Sequence, residues 1–234
     1  MQLYNPGAGW CRTYDHSCPT KEYLSCIHAE IQMNITDNLT GLTNTQNIQQ
    51  PGIQLPVMEL FYTLQGEGFH QGRAAFFIRL GGCDVGCVWC DVKDSWDAAK
   101  HPKMFVNDIV NTVKQFTPAV SAKRKISPLV VITGGEPLMH HLDELTATLQ
   151  EAGFETNIET SGAHPLSGKW DWICLSPKKF KAPLPEILPD ANELKVVVFN
   201  KSDFEWAEQY AAKVSPECKL YLQPEWDNAA SMTP

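Results

Sequence analysis

The chain has 234 residues, of which 43% are hydrophobic and 20% are charged, so it has the composition of an ordinary globular protein with one core. A net charge of −8 disfavours nucleic acid and anionic membranes as partners, and the sequence shows neither a run of membrane-spanning length nor an export signal. We therefore expect a cytoplasmic protein whose eight cysteines stay reduced, some of them bound to a cofactor.

Residues 1–55 form the first distinct segment. This segment is rich in Asn, Gln and Thr and lacks apolar periodicity, which predicts a low-order extension. Cys11, Cys18 and Cys26 lie here at wide spacings, and we interpret them as unrelated free thiols rather than as a second metal site. The folded domain is predicted over residues 56–234.

Strands and helices are predicted to alternate through this domain. The apolar run Ala74–Leu80 predicts a strand, and apolar residues at helical spacing predict a helix over Phe105–Gln115. Further strands are predicted at Leu129–Ile132, Glu155–Ile158, Trp172–Leu175, Leu194–Phe199 and Leu220–Leu222, and further helices at about His141–Ala152 and from Ser202, with Glu205 completing a capping box, to about Lys213. This order predicts parallel βα units in an α/β barrel, where the carboxyl ends of the strands share one face and bind ligands.

A loop with three closely spaced cysteines follows the first predicted strand. Cys83, Cys87 and Cys90 have the spacing C-x3-C-x2-C, and a loop of this kind can turn three soft thiolates toward iron or zinc. A structural zinc site would need a fourth ligand from elsewhere, whereas an iron–sulfur cluster held by three cysteines leaves one iron open for a small molecule. The spacing alone leaves cluster, zinc site and coincidence open.

Other motifs lie beside the predicted strands. The turn Leu64–Gly68 precedes the first one, and the motifs Thr133–Pro137, Glu159–Gly162, Ser176–Lys178 and Gln223–Pro224 each follow a strand. As isolated patterns these are ordinary turns and strand ends. Arg79 is unusual because it interrupts an apolar strand; it either points to solvent at a sheet edge or binds a substrate carboxylate with its planar guanidinium.

Taken in order, these motifs resemble the 7-carboxy-7-deazaguanine synthase family of radical S-adenosylmethionine (SAM) enzymes, over about residues 58–226. The resemblance implies a reduced, partial (β/α) TIM-like barrel, a homodimer, and three cofactors: a 4Fe–4S cluster, SAM and magnesium. It implies a carbon–nitrogen lyase that converts 6-carboxy-5,6,7,8-tetrahydropterin to 7-carboxy-7-deazaguanine with loss of ammonia, for queuosine synthesis. The implied partners are this small pterin and an external electron donor of the flavodoxin or ferredoxin type, with no nucleic acid and no membrane.

The resemblance also assigns site residues, none of them catalytic beyond contact with cofactor or substrate. The cluster ligands are Cys83, Cys87 and Cys90. The cofactor contacts are Trp89, Cys90, Asp91, Gly134, Gly135, Glu136, Glu159, Ser161, Ser176, Pro177, Lys178, Gln223 and Pro224. The substrate contacts are Leu64, Gln65, Gly66, Glu67, Arg79 and Thr133.

Two features depart from the family pattern. The family commonly places Thr or Ser at the position of Val92 to bind magnesium, and valine has no side-chain oxygen. The sequence stops at Pro234, where family members continue with a helix, a strand and a short tail, so we expect a shortened form of the domain. Two alternatives stay open: a radical SAM enzyme that activates a protein partner, and a zinc-stabilised binding module with a fourth ligand such as Cys174.

Overall fold

The computed structural model describes residues 52–117 and 127–225. The strands are β1 (Gln54–Leu64), β2 (Ala74–Leu80), β3 (Lys103–Phe105), β4 (Leu129–Gly134), β5 (Glu155–Thr160), β6 (Trp172–Leu175), β7 (Glu193–Val198) and β8 (Lys219–Pro224). The α-helices are α1 (Val106–Phe116), α2 (Asp143–Glu151) and α3 (Ser202–Ala211), and short 3-10 helices span Lys93–Trp96, Ala98–Lys100, Pro137–Met139 and Pro185–Asp190. The extension predicted over residues 1–55 lies outside the described residues except for its last four, of which Gln54 and Leu55 already belong to β1. Cys11, Cys18, Cys26 and the chain after Glu225 also lie outside them.

The strands form one open sheet in the order β3-β1-β2-β4-β5-β6-β7-β8. Neighbouring strands from β2 through β8 in this order run parallel, which confirms the predicted α/β class and the partial barrel. Strand β1 runs antiparallel to both β2 and β3 and was not predicted. In the described residues no α-helix joins β5 to β6 or β6 to β7, so the βα alternation is incomplete there.

The predicted capping box of α3 is wrong. The residue before the helix is Lys201, and no side chain caps the first turn. Ser202 donates through its hydroxyl to the side-chain oxygen of Asn200 instead, at 2.7 Å. The carboxylate of Asp203 accepts the backbone N–H groups of Phe199 and Asn200, so the acid at the second helical position ties down the entry to the helix. None of the helices among the described residues is long and apolar enough to cross a membrane.

The helix-covered face of the sheet carries the core. Ile78, Ile132, Ile158 and Ile173 lie side by side on four neighbouring strands and are all buried. Helix α2 lies on this face, where the side chain of Gln150 donates to Thr156 of β5. Full burial of each isoleucine contributes about 1.5–3 kcal/mol, so the strands form a rigid support for the loops at their ends.

The opposite face of the sheet, called the polar face below, carries polar residues in the same register. Arg79 lies between Glu59 and Thr133, and Cys174 lies between Glu159 and Glu193. Such groups cannot form an apolar core, and each must be satisfied by another group of the protein or by a ligand. The register therefore brings together side chains that are far apart in the sequence.

Candidate functional site

The cysteine loop starts directly at the end of β2 and is held by backbone hydrogen bonds. Gly82 has a φ of +105°, which allows the chain to turn out of the strand. The amides of Gly82 and Cys83 donate to the carbonyls of Ser95 and Trp96, at 2.6 and 3.1 Å. Cys90 then donates to the carbonyl of Cys87 at 3.1 Å, so the last two cysteines lie on one turn.

The motif after β4 packs against this loop. Gly135 donates to the carbonyl of Leu80 at 2.9 Å, and Glu136 donates to the carbonyl of Gly82 at 2.8 Å. A Cβ at Gly135 would lie 2.2 Å from the oxygen of Gly82 and 2.9 Å from the Cβ of Cys83. The absence of a side chain at Gly135 therefore lets two motifs meet that are about fifty residues apart in the chain.

The three thiols suit a metal that binds soft ligands. Burial raises the pKa of Cys87 to about 11; the ammonium of Lys178 opposes this shift, and the nearby Cys90 and Cys83 add to it. Burial also raises the pKa of Cys83. These thiols hold their protons until a metal displaces them, as iron does when it binds thiolate.

A closed zinc site finds no support. In the described part of the chain, no group of three or more His, Cys, Asp or Glu side chains is positioned to hold a single metal ion. A 4Fe–4S cluster does not need such convergence, because its cysteines bind different irons. Cys174 is buried in β6 next to Glu193 of β7 in register, and Cys218 is buried as well.

The side chain of Glu136 is fully engaged with the protein. This residue is 1% exposed, and its carboxylate accepts the hydroxyl of Thr160 and both the hydroxyl and the amide of Ser161, at 2.5, 2.5 and 2.8 Å. A fourth bond comes from the amide of Leu138 at 3.1 Å. These four bonds match the roughly four acceptor sites of a carboxylate. Because Thr160 and Ser161 lie at the end of β5, Glu136 joins the ends of β4 and β5. The predicted contact of Glu136 and Ser161 with SAM stays a prediction.

The motif after β6 also reaches the cysteine loop. Lys178 donates to the hydroxyl of Ser176 at 2.7 Å, and its ammonium lies 5.1 Å from the ring centroid of Trp89. Burial lowers the pKa of Lys178, while Cys87 opposes the shift. Pro177 is buried between these two residues. Gln223 and Pro224, predicted to follow a strand, are the last two residues of β8 and pair with Val197 and Val198 of β7.

The turn before β2 crosses the polar face. Gln65 donates from its amide to Glu159 of β5 at 2.8 Å, and Glu67 accepts from Lys195 of β7 at 2.7 Å. Leu64 differs from the other predicted substrate contacts because it is 63% exposed at the end of β1. The structure therefore brings Gln65 and Glu67 to β5 and β7 and leaves Leu64 on the surface.

A buried carboxylate supports this turn. Glu193 is 2% exposed and accepts the backbone N–H of Phe69 at 3.3 Å and the indole N–H of Trp172 at 3.0 Å. Gly68 has a φ of +67°, and a Cβ there would lie 2.0 Å from an oxygen of Glu193. The ring of Phe69 stacks on Trp172 with 4.6 Å between centroids. The glycine in this turn makes room for a group of the protein itself.

Arg79 lines a cavity at the end of the cysteine loop. Its guanidinium lies 3.0 Å from the carboxylate of Glu59 and 5.5 Å from the ring centroid of Phe61. Strand β2 lies between β1 and β4, so Arg79 is not at a sheet edge, and its side chain is 26% exposed. The cavity has a volume of about 360 Å³ and is lined by Met58, Arg79, Cys90, Asp91, Val92, Lys93 and Asp94.

Two groups of predicted residues are thus assembled by the fold. Arg79, Cys90, Asp91 and Val92 share the cavity, with Thr133 next to Arg79 in register. On the polar face, Gln65 contacts Glu159 and Glu67 contacts Lys195, and Gly66 lies between these two residues in the turn. Four residues around these groups were not predicted: Glu59, Asp94, Glu193 and Lys195. Of these, Lys195 has a sequence signal, because it interrupts an apolar strand as Arg79 does.

Comparison with known proteins identifies similar chains. The family model described as the radical SAM superfamily matches residues 77–175. A protein of Flavobacterium psychrophilum named 7-carboxy-7-deazaguanine synthase is 49% identical over 193 residues, which are 81% of this chain and 87% of that protein. A protein of the same name from Synechocystis is 51% identical over 178 residues, 76% of this chain and 81% of the relative. The crystal structure of QueE from Escherichia coli superposes with a TM-score of 0.64 at 33% identity, covering 76% of this chain and 87% of that one.

Proposed function

Because the chain belongs to the 7-carboxy-7-deazaguanine synthase family of radical SAM enzymes, we propose that it catalyses the reaction for which that family is named. The substrate is 6-carboxy-5,6,7,8-tetrahydropterin, which undergoes ring contraction to 7-carboxy-7-deazaguanine with release of ammonia. The relatives are named for a small-molecule product, which favours this reaction over activation of a protein partner.

The observation that carries the proposal is the shared cavity of Arg79 and Cys90. A guanidinium is a planar fork that binds a carboxylate with two hydrogen bonds, and the substrate carries one carboxylate. Arg79 already binds Glu59 at 3.0 Å, which holds the guanidinium in place. A substrate anchored here lies beside the cysteine loop.

The residues of the loop fit the cofactors of the family. Cys83, Cys87 and Cys90 are the ligands for a 4Fe–4S cluster. When bound, the cluster and SAM supply the radical that starts the reaction. The backbone next to Gly135 and the ammonium of Lys178 line the same region and are the groups that we assign to SAM binding, together with the other predicted contacts.

The polar face suits the heterocycle of the substrate. Pterins present several N–H donors, and the amide of Gln65 and the carboxylates of Glu67 and Glu159 supply acceptors. Asp91 offers a carboxylate oxygen to magnesium in the cavity, while Val92 offers none. We further propose that the chain works as a cytoplasmic homodimer supplied with electrons by a flavodoxin or ferredoxin.

Anaerobic reconstitution followed by turnover tests this function. We expect iron and sulfide in the ratio of one 4Fe–4S cluster per chain, and loss of its visible absorbance when Cys83, Cys87 or Cys90 is replaced by Ala. Cys218→Ala serves as the control, since this thiol is buried elsewhere. Incubation with SAM, reductant and the pterin should yield 7-carboxy-7-deazaguanine and ammonia by mass analysis and ammonia assay. A chain that takes up zinc but no iron, or that cleaves SAM without forming this product, would contradict the proposal.

A further inference from the structure

Lys195 is a buried lysine that no motif predicts. It lies in β7 between Leu194 and Val196, and its side chain is 5% exposed. The ammonium lies 2.7 Å from an oxygen of Glu67 and 3.5 Å from an oxygen of Glu159. A lysine is almost never this deeply buried unless its charge is paired, so these contacts determine where the side chain lies.

Several charged and titratable groups face this ammonium. They are Glu67 from the turn before β2, Glu159 from β5, Cys174 from β6, Lys178 from the segment after β6, Tyr221 from β8 by register, and Glu193 on the same strand. Burial by itself lowers the pKa of Lys195, but Glu159, Cys174 and Glu67 together raise it above its usual value. Lys195 is therefore a permanent cation shared by two carboxylates.

The same contacts connect segments that the proposed reaction assigns to ligands. Gln65 binds the other oxygen of Glu159 at 2.8 Å, so Gln65, Glu159, Lys195 and Glu67 form a continuous chain of hydrogen bonds and ion pairs. Gln65 and Glu67 belong to the turn, whereas Glu159 and Lys195 belong to the sheet. Within this network of described residues, the ammonium of Lys195 is the group that contacts both carboxylates.

We propose that Lys195 is a positioning residue, which holds the carboxylates of Glu67 and Glu159 close together and thereby holds the turn 65–68 against the sheet before a ligand binds. The contact of this turn with the substrate rests on the proposed function, whereas the positioning of the turn by Lys195 does not. Without the cation the two carboxylates repel each other, and one of them takes up a proton or the turn moves away. A turn that is held in place in advance avoids the loss of conformational entropy on binding.

Amide hydrogen exchange of the ligand-free protein measures the position of the turn directly. Protection of residues 65–73, corrected for intrinsic exchange rates, is compared at about pH 6 and about pH 8 in the natural chain and in Lys195→Met and Lys195→Arg, a range in which a carboxyl with a raised pKa titrates. In the natural chain we expect equal protection at both pH values. In Lys195→Met one carboxyl has a raised pKa, so its proton supports the turn at the lower pH and is lost at the higher. Protection should then fall at least about tenfold between the two, the factor that corresponds to one pKa unit. Lys195→Arg should restore protection that does not depend on pH.

The double variant Lys195→Met with Glu67→Gln removes the cation and one carboxylate together. It should fold even where Lys195→Met does not, and its exchange should show no dependence on pH. Lys219→Met is the matched control, because Lys219 is an exposed lysine beside Glu193 on the neighbouring strand and should behave like the natural chain.

Unchanged protection in Lys195→Met, or a loss that is equal at both pH values and persists in the double variant, would overturn the proposal. These measurements need no cofactor and no turnover. Failure of the proposed reaction, by contrast, would appear as a natural chain that carries the cluster but forms no 7-carboxy-7-deazaguanine.

Discussion

Replacement of Gly135 by alanine tests whether close packing of two motifs forms the cysteine loop. Gly135 does not have a left-handed φ, so its backbone conformation is compatible with alanine. The substitution is limited only by the space available for the new Cβ. The new Cβ would lie 2.2 Å from the oxygen of Gly82, where an ordinary contact needs about 3.4 Å, and 2.9 Å from the Cβ of Cys83. The cysteine loop must therefore retreat by about 1 Å.

The free-energy cost follows from two effects. The oxygen of Gly82 accepts the N–H of Glu136 at 2.8 Å, and a retreat of this size breaks that bond in a buried place. An unsatisfied buried donor costs about 1–3 kcal/mol, and overpacking costs a further 1–3 kcal/mol. We expect Gly135→Ala to lower the free energy of unfolding by about 2–4 kcal/mol, a range that allows for partial relaxation. Displacement of Cys83 should also reduce the iron content after reconstitution.

Urea unfolding of the metal-free protein measures the first effect, and iron analysis with visible absorbance measures the second. Gly52→Ala is the control, because a Cβ there would meet its neighbours at 3.6 and 3.8 Å, which is ordinary contact. A Gly135→Ala protein with the stability of the control and a full cluster would show that the two motifs do not depend on this contact.

Three further predictions concern single side chains. Arg79→Lys keeps the charge but loses the planar fork, so substrate binding measured by calorimetry should weaken by about 1–3 kcal/mol while SAM binding holds; an equal loss for SAM would show that Arg79 does not recognise the substrate. Val92→Thr adds a hydroxyl beside Asp91 in the cavity and should lower the magnesium concentration needed for half-maximal turnover, and turnover that ignores both magnesium and chelator would contradict this. The pKa of Asp203 is lowered, because the ion pair with Lys179 at 2.6 Å and two backbone N–H groups outweigh the opposing effect of burial. The stability from Asp203 is therefore present above the unfolded pKa and lost as pH falls through the folded pKa. Asp203→Asn should cost about 1–3 kcal/mol at neutral pH, and this cost should disappear in acid; a cost that persists in acid would refute the ion-pair explanation.

Glu136 supports the fold through both its side chain and its backbone. Its carboxylate is occupied by Thr160, Ser161 and a backbone N–H group, whereas its own backbone N–H holds the cysteine loop. The residue thus joins three strand ends in the ligand-free chain. One function of this motif is therefore structural, because it holds the strand ends and the cysteine loop together.

The sequence by itself determined the elements whose signals are local. Ala74–Leu80 and Trp172–Leu175 were predicted as strands with their observed bounds, because a short apolar run between turn residues is typical of a buried strand. Parallel order and the shared edge of the strand ends followed from alternation of strand and helix signals. The cysteine spacing and the glycines beside it also needed no structure, since backbone turns and soft ligands are properties of a few adjacent residues.

Only the tertiary structure decided which distant groups meet. The capping box at Ser202 was wrong for a local reason: the helix already begins at Ser202, so this residue is not its N-cap, and its hydroxyl donates to Asn200 instead. Lys195 was missed because its meaning depends on Glu67 and Glu159, which lie 128 and 36 positions away and reach it through strand register and a turn that crosses the sheet. The partners of a buried charge come from separate segments that pack together. The sequence pattern of one segment therefore does not predict which partners those are.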